Sequence, residues 1–365
     1  MRGTVILVLL AASSCGAQTE AENLIEAGHW KRARAIVEAN ARQSHDALTQ
    51  FLLSQIHNAF GDRESPLPLA EKAVALDGNI AKYHRQVAEV TGVMAQHAGF
   101  LQQILLARRF RHEIDTALSL DARDVQGLRD LMEYYLLAPG IVGGDKDKAR
   151  EIAARIARVD AVQGYLAQAR LAEVAGELSH EEAMLRKAVE TGPSHYRARV
   201  ALAAFLLSHG NGEAARQEAA VAEKIDSTRV DAYAVTAAAN ARLGHVSELE
   251  SLVGTAEKQV PDDLSPYFRA AEVLLATGQE LERAQRYLRR YMAAEPEGNA
   301  PSLSDARAKL EQVLAKTRSV TGTRASVSGT PASVPGKWAS VTGTRASPSG
   351  THASLSETSA SRAPD

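Results

Sequence analysis

The residues from Tyr134 to Asp160, YYLLAPGIVGGDKDKAREIAARIARVD, place glycines and lysines close enough together to suggest phosphate chemistry. A nucleotide-binding loop needs a glycine, four residues, then Gly-Lys-Ser/Thr, because backbone amides wrap the phosphates while the lysine and hydroxyl reach the terminal phosphate and its metal. Here Gly140, Gly143 and Gly144 lead into Asp145, and no hydroxyl follows Lys146. The dinucleotide fingerprint fails on spacing, and no strand precedes it. Asp145 is placed to cap the next helix and Asp147 to sit in its first turn, so negative charge already occupies the end of the helix an anion would seek. The stretch reads as an extended connection in which Pro139 ends one helix, the glycines turn the chain, Asp145 starts the next helix, and Ile141 with Val142 pins the loop.

No other constellation reads as catalytic. The eleven histidines form no HExxH pair, and His29, His45, His57, His84, His97 and His112 are scattered. Glu181 and Glu182 are adjacent and point in different helical directions, which argues against paired carboxylate chemistry. A Gly-x-Ser-x-Gly elbow is missing. The densest basic run, ARRFRHE from Ala107 to Glu113, holds one aromatic residue and ends in an acid, so it reads as a solvated helix face rather than a nucleic-acid patch. No enzyme, cofactor or metal is expected. A cluster of His97, His112 and nearby acids around one pocket would be needed to revive a hydrolase.

Composition points to the elements that fill the chain. Of 365 residues, 45% are hydrophobic but only 5% aromatic, and alanine recurs in phrases such as AYAVTAAANARLG. Closely packed helices follow from that usage, and sheets do not. The formal net charge is −2, so no global field favours nucleic acid or an anionic membrane surface. At the N-terminus one arginine, an apolar run from Val5 to Ala12 and then small residues have the layout of a secretory signal, too short to span a bilayer. Cleavage is expected after Ala17, giving a signal over 1–17, or before Cys15, where AASSC resembles a lipobox with Ala12 in place of leucine. The protein is expected to be exported, in the periplasm or lipid-anchored through Cys15 at the cell envelope. Cys15 is the single cysteine, so no internal disulfide can form.

Self-similarity organises the rest. GHVSELESLVGTAEKQVPDD, GQELERAQRYLRRYMAAEPEG and GELSHEEAMLRKAVETGPSH each show a glycine, a helix and a closing proline. The matching sets are Leu249, Val253, Ala256, Pro261; Ala284, Leu288, Tyr291, Pro296; and Glu181, Leu185, Ala188, Pro193. The closing position recurs at His45, Gly78, Ala122, Ala161, Pro193, Ser227, Pro261 and Pro296, with steps of 33, 44, 39, 32, 34, 34 and 35 residues. Small residues let antiparallel helices approach closely, and proline ends the second helix. This pattern resembles the tetratricopeptide repeat (TPR), and Tyr233, Thr236, Ala237, Gly244 with Tyr267, Ala270, Ala271, Gly278 fill its first-helix positions. The APGIVGG loop is similar to connections in exported bacterial TPR proteins.

The resemblance implies an all-α, right-handed superhelical solenoid of antiparallel helix pairs over 18–318, about eight units ending in a capping helix from Ser302 to Lys316. One unit cannot bury its own apolar face, so stacking is obligatory. The enlarged units around residues 81–121 and 122–160 are expected to hold longer helices and the long loop. From Ser319 the chain runs in sevens, SVTGTRA, SVSGTPA, SVPGKWA, SVTGTRA, SPSGTHA, SLSETSA, and 319–365 is expected to be a disordered tail.

In the TPR family first helices line a concave groove, which implies a protein or peptide partner. Carried onto this chain, the groove positions are Lys82, Arg85, Glu89, Gln126, Arg129 and Glu133, with Arg197, Arg242 and Glu272 in later units. Arg85/Glu89 and Arg129/Glu133 also stand at i, i+4, the spacing of an intrahelical ion pair. The lysine and asparagine with which some TPR domains hold a chaperone's carboxylate are arginine and glutamate here. The expected function is a non-catalytic interaction scaffold. The alternative is a periplasmic small-ligand-binding subunit of a transport system, favoured by an apolar cavity between the enlarged helices.

Overall fold

The computed structural model describes residues 16–323, with side chains described to residue 318. Every regular element among the described residues is helical. Helix α1 covers 16–27. It is followed by α2 (Trp30–Ala41), α3 (Ala47–Ala59), α4 (Pro66–Leu76), α5 (Ala81–His97), α6 (Phe100–Leu120), α7 (Val125–Leu137) and α8 (Lys146–Val159). The array continues with α9 (Ala161–Ala175), α10 (Leu178–Thr191), α11 (Tyr196–Ser208), α12 (Gly212–Ile225), α13 (Val230–Leu243), α14 (Val246–Gln259), α15 (Ser265–Thr277), α16 (Leu281–Met292) and α17 (Leu303–Thr323). Successive helices pack on one another, giving eight pairs and a final helix, an all-α TPR-like solenoid. Residues 1–15, most of the expected signal segment with Cys15, lie outside the described residues, as does the heptad repeat after Thr323, whereas Gly16 and Ala17 of that segment begin α1. Helix α17 continues past Lys316 into the first heptad copy.

Two turn devices repeat. Gly176, Gly210, Gly244 and Gly278 stand 34 residues apart, each with positive φ where a first helix turns into its second. Only glycine takes that conformation at little cost, so these positions pin the hairpins. Asp77, Asp121, Asp160 and Asp226 close second helices in nearly the same extended conformation, and each carboxylate then accepts from a backbone amide two or three residues on. The enlarged pairs depart from the first device. Helix α5 has 17 residues and α6 has 21, and the chain between them passes through extended Ala98 and Gly99 instead of a left-handed glycine.

First helices form an inner layer: α11 touches α13, α13 packs along α15, and second helices make no comparable contact with each other. Burial follows, since α13 buries 11 of its 14 residues and α14 only three of 14. All the residues at the repeated small or apolar positions of the three aligned segments are buried, including Leu249, Val253, Ala284, Leu288, Tyr291 and the polar Glu181. Each large apolar side chain so buried contributes about 1.5–3 kcal/mol. Where α8 meets α9 the backbones nearly touch, and a Cβ on Gly164 would lie 2.4 Å from Ala157 Cα.

The two ends of the array meet. His29 Nδ1 lies 3.0 Å from Asp262 Oδ2, and Arg32 donates to Asp262 Oδ1 at 2.8 Å. Lys31 donates from its amide to Glu297 Oε1 (2.7 Å) and from Nζ to the carbonyls of Asp262 (2.7 Å) and Glu295 (2.6 Å). Arg34 forms a two-pronged pair with Glu295, and Asn299 N donates to Ala59 O at 2.8 Å. Trp30 packs so closely on Gly298 that a Cβ there would come within 2.6 Å of its ring. The first two pairs thus close against the turns that flank the last pair, and the solenoid makes a complete circuit.

Candidate functional site: the charged inner face

Four consecutive amides of the glycine-rich loop, from Val142 to Asp145, are already engaged within the loop and its flanking helix and are not aimed at a phosphate. Val142 N and Gly144 N donate to Pro139 O, Gly143 N to Gly140 O and Asp145 N to Tyr135 O. Asp145 caps α8 by accepting from Asp147 N (3.0 Å) and Lys148 N (3.2 Å), as its position in the sequence implies. Ile141 does not pin the loop, because it is 71% exposed. The Tyr134 hydroxyl does, by donating to Val142 O, while its ring stacks on Phe110 of α6 at 5.6 Å. Two arginines of the basic run on α6 are engaged: Arg109 pairs with Glu71 of α4, and Arg111 with Asp115 and with the Tyr135 hydroxyl of α7. His97 and His112 are both exposed.

The inner face carries a band of ionisable side chains from successive first helices. Arg85 on α5 faces Asp124, the residue that caps α7, at 3.2 Å. Glu133 on α7 accepts two hydrogen bonds from Arg170 on α9, at 2.9 and 3.2 Å, and Arg170 also holds Glu173 at 2.9 Å. The i, i+4 spacing of Arg85/Glu89 and Arg129/Glu133 therefore does not produce the intrahelical pairs it suggests. Arg85 and Glu133 reach the next unit instead, and Glu89 accepts from Asn58 of the preceding one at 3.4 Å.

These groups sit in a crowded, partly desolvated space. Burial pushes the Glu89 carboxyl up to about 7, with repulsion from Asp130 adding to it and Arg85 and Asn58 opposing. Burial likewise raises Asp130 to about 6 against the pull of Arg85 and Arg129. Glu181 rises to about 7 through burial and its neighbour Glu173. Arg129 and Arg197 are shifted down by burial, and for Arg197 the charges of Arg229 and Arg129 act in the same direction while Glu26 and Asp231 oppose. Glu26 ends α1 and Arg197 begins α11, so opposite sides of the circuit come within electrostatic reach.

Not every expected groove residue belongs to this group. Lys82 is held by Glu22 of α1 at 2.5 Å. Gln126 donates to Asp130 at 3.1 Å. Glu272 is gripped by Arg269 and by Lys309 of α17, both at 2.9 Å, so it anchors the final helix. Arg242 lies 13 residues along from Arg229, about 20 Å at the helical rise, at the other end of α13. The structure brings together Arg85, Glu89, Arg129, Glu133 and Arg197, and adds Asp130, Arg170 and Arg229, which repeat spacing did not single out. Arg170 stands six residues before Gly176, as Glu272 stands six before Gly278, so the register of the turn glycines marks it as a groove position, and Arg229 stands before its helix begins.

Neither a family model nor a curated relative matches the sequence. Among solved structures, yeast Tom70 aligns over 84% of this chain and 81% of its own at 11% identity, with a TM-score of 0.42. A tetratricopeptide repeat protein from Parabacteroides merdae aligns over 83% and 99% at 12% identity and 0.41. YrrB, described as a TPR protein with an unusual peptide-binding site, aligns over 54% and 95% at 16% identity and 0.32. Among the described residues no helix is long and apolar enough to cross a membrane.

Proposed function

We propose that the protein is a non-catalytic scaffold that holds an extended polypeptide segment in the interior of its circuit. The observation that carries this reading is the inner band itself: Arg85, Glu89, Arg129, Glu133 and Arg197 keep solvent access on the face where first helices converge, although none of them is needed to close the apolar core. Charged groups that face a narrow interior cost solvation, and a bound chain with its own polar backbone and side chains returns it. The N-terminal layout supports an exported protein, either periplasmic or lipid-anchored through Cys15 at the cell envelope.

The test is a photo-crosslinking side chain placed at Arg129 and, separately, at Arg216 on outer helix α12, with a pool of random peptides as the probe. Crosslinks from position 129 alone support the reading. Crosslinks from position 216 alone, or from neither, overturn it.

A further inference from the structure

We infer that Arg129, Arg197 and Arg229 form a site for the carboxylates of an acidic segment lying across the interior. The inference rests on the polypeptide-binding reading and names the chemistry of the segment. Two of the inner-face arginines have their acids: Arg85 faces Asp124 at 3.2 Å, and Arg170 holds Glu133 and Glu173 at 2.9 Å. Among the described residues no hydrogen-bond or ion-pair partner stands opposite the guanidinium of Arg129 or Arg197. Arg229 has only the Tyr196 ring, 4.5 Å from its Cζ, and its Nε is buried without an acceptor.

Geometry groups the three. Tyr196 at the start of α11 carries Arg229 on its face, and the charge of Arg229 acts on Arg197, the next residue of that helix. Arg129 approaches from α7 on the same inner layer, near enough for its charge to act on Arg197. Arginine cannot shed its proton, so a crowded set without acceptors is stabilised by a ligand anion. The nearest acids on α7 are engaged, Glu133 by Arg170 and Asp130 by Gln126. Glu26 and Asp231 remain as the opposing charges near Arg197. With Glu89 and Asp130 they would repel the continuous charge of a nucleic acid, whereas separate carboxylates can alternate with them. The chain's own residues 319–365 hold four lysines and arginines against two acids, the wrong sign for this site.

The experiment measures binding of three probes to the full chain at low and moderate salt: a glutamate-rich peptide, the same peptide with lysine for glutamate, and inorganic phosphate. The chains compared are wild type, Arg197→Gln, Arg129→Gln and an Arg216→Gln control. The acidic peptide should bind best, weaken at least about tenfold on loss of either inner arginine, and be unchanged in the control. Both inner variants should melt no lower than wild type without ligand, since each removes a half-buried charge that has no ion-pair partner. Equal binding of acidic and lysine peptides, indifferent to the arginines, overturns the inference and leaves the polypeptide reading standing. Phosphate binding that needs the arginines, with no peptide bound, marks a site for free anions and overturns the polypeptide reading. A fall in melting temperature in both inner variants shows that the arginines are structural, and also overturns the inference.

Discussion

Replacing Asp262 by asparagine should open the seam between the ends of the array without unfolding the array. The Asp262 side chain is 11% exposed and faces His29 at 3.0 Å and Arg32 at 2.8 Å. Burial alone would raise its carboxyl; the hydrogen bond from His29, a backbone donor and the charge of Arg32 together hold it down at about 2, against an ordinary 3.8. At about 1.36 kcal/mol per pH unit, that difference amounts to about 2.4 kcal/mol favouring the closed seam at neutral pH. Losing it raises the open population by up to roughly sixtyfold. Two amides report the event directly, because Lys31 N donates to Glu297 and Asn299 N to Ala59 across the seam. Their hydrogen-exchange protection should fall by that factor, while Glu177 N and His245 N, bonded within distant turns, keep theirs. In wild type the same loss should come on as pH falls below 3.8 and through about 2, because a depressed carboxyl stabilises only while ionised. Unchanged protection at Lys31 and Asn299 refutes the seam; a parallel fall at Glu177 and His245 shows that Asp262 supports the whole fold instead.

Glu89 and Glu297 are both raised by burial to about 7 from an ordinary 4.5, so the folded chain holds these protons more tightly than the unfolded one. Their contribution is complete below pH 4.5 and is lost as pH rises through 7; calorimetry should find a higher melting temperature at pH 5 than at pH 8, and Glu89→Gln should narrow the gap. Gly164→Ala forces a Cβ to 2.4 Å from Ala157 Cα and should destabilise by about 1–3 kcal/mol in denaturant titration. Gly254→Ala, inside α14 with nothing within 4 Å, should stabilise by about 0.5–1 kcal/mol in the same assay.

Much of the fold was legible because it is local and periodic. The 34-residue steps, the closing prolines and the alanine phrases each report one helix pair touching the next, and the buried set Leu249, Val253, Ala256 lies where the alignment put it. The longer helices of the third unit and the cap at Asp145 were legible for the same reason. The shared device at the unit ends lies one residue earlier than the repeat spacing suggests: Gly78, Ala122, Ala161 and Ser227 each follow the aspartate that closes the helix. The inner face was legible as a set of positions but not as a network. Whether Arg85 turns to Glu89 or to Asp124 depends on the gap between helices, which no single helix encodes. Contact between His29 and Asp262 spans 233 residues and has no periodic signature at all.

That long-range contact fixes how many units the chain can have. An open solenoid gains or loses a unit at the expense of one interface, so duplication is cheap. Here an added 34-residue step would carry Asp262 and Glu295 past His29 and Arg34, and a missing one would leave them short. Small rotations at each interface also accumulate around the circuit, so a repacked core in any unit is felt at the first and last turns. The seam is therefore a gauge of the summed pitch of the whole array, and the count of eight pairs is a property that the ends of the molecule check against each other.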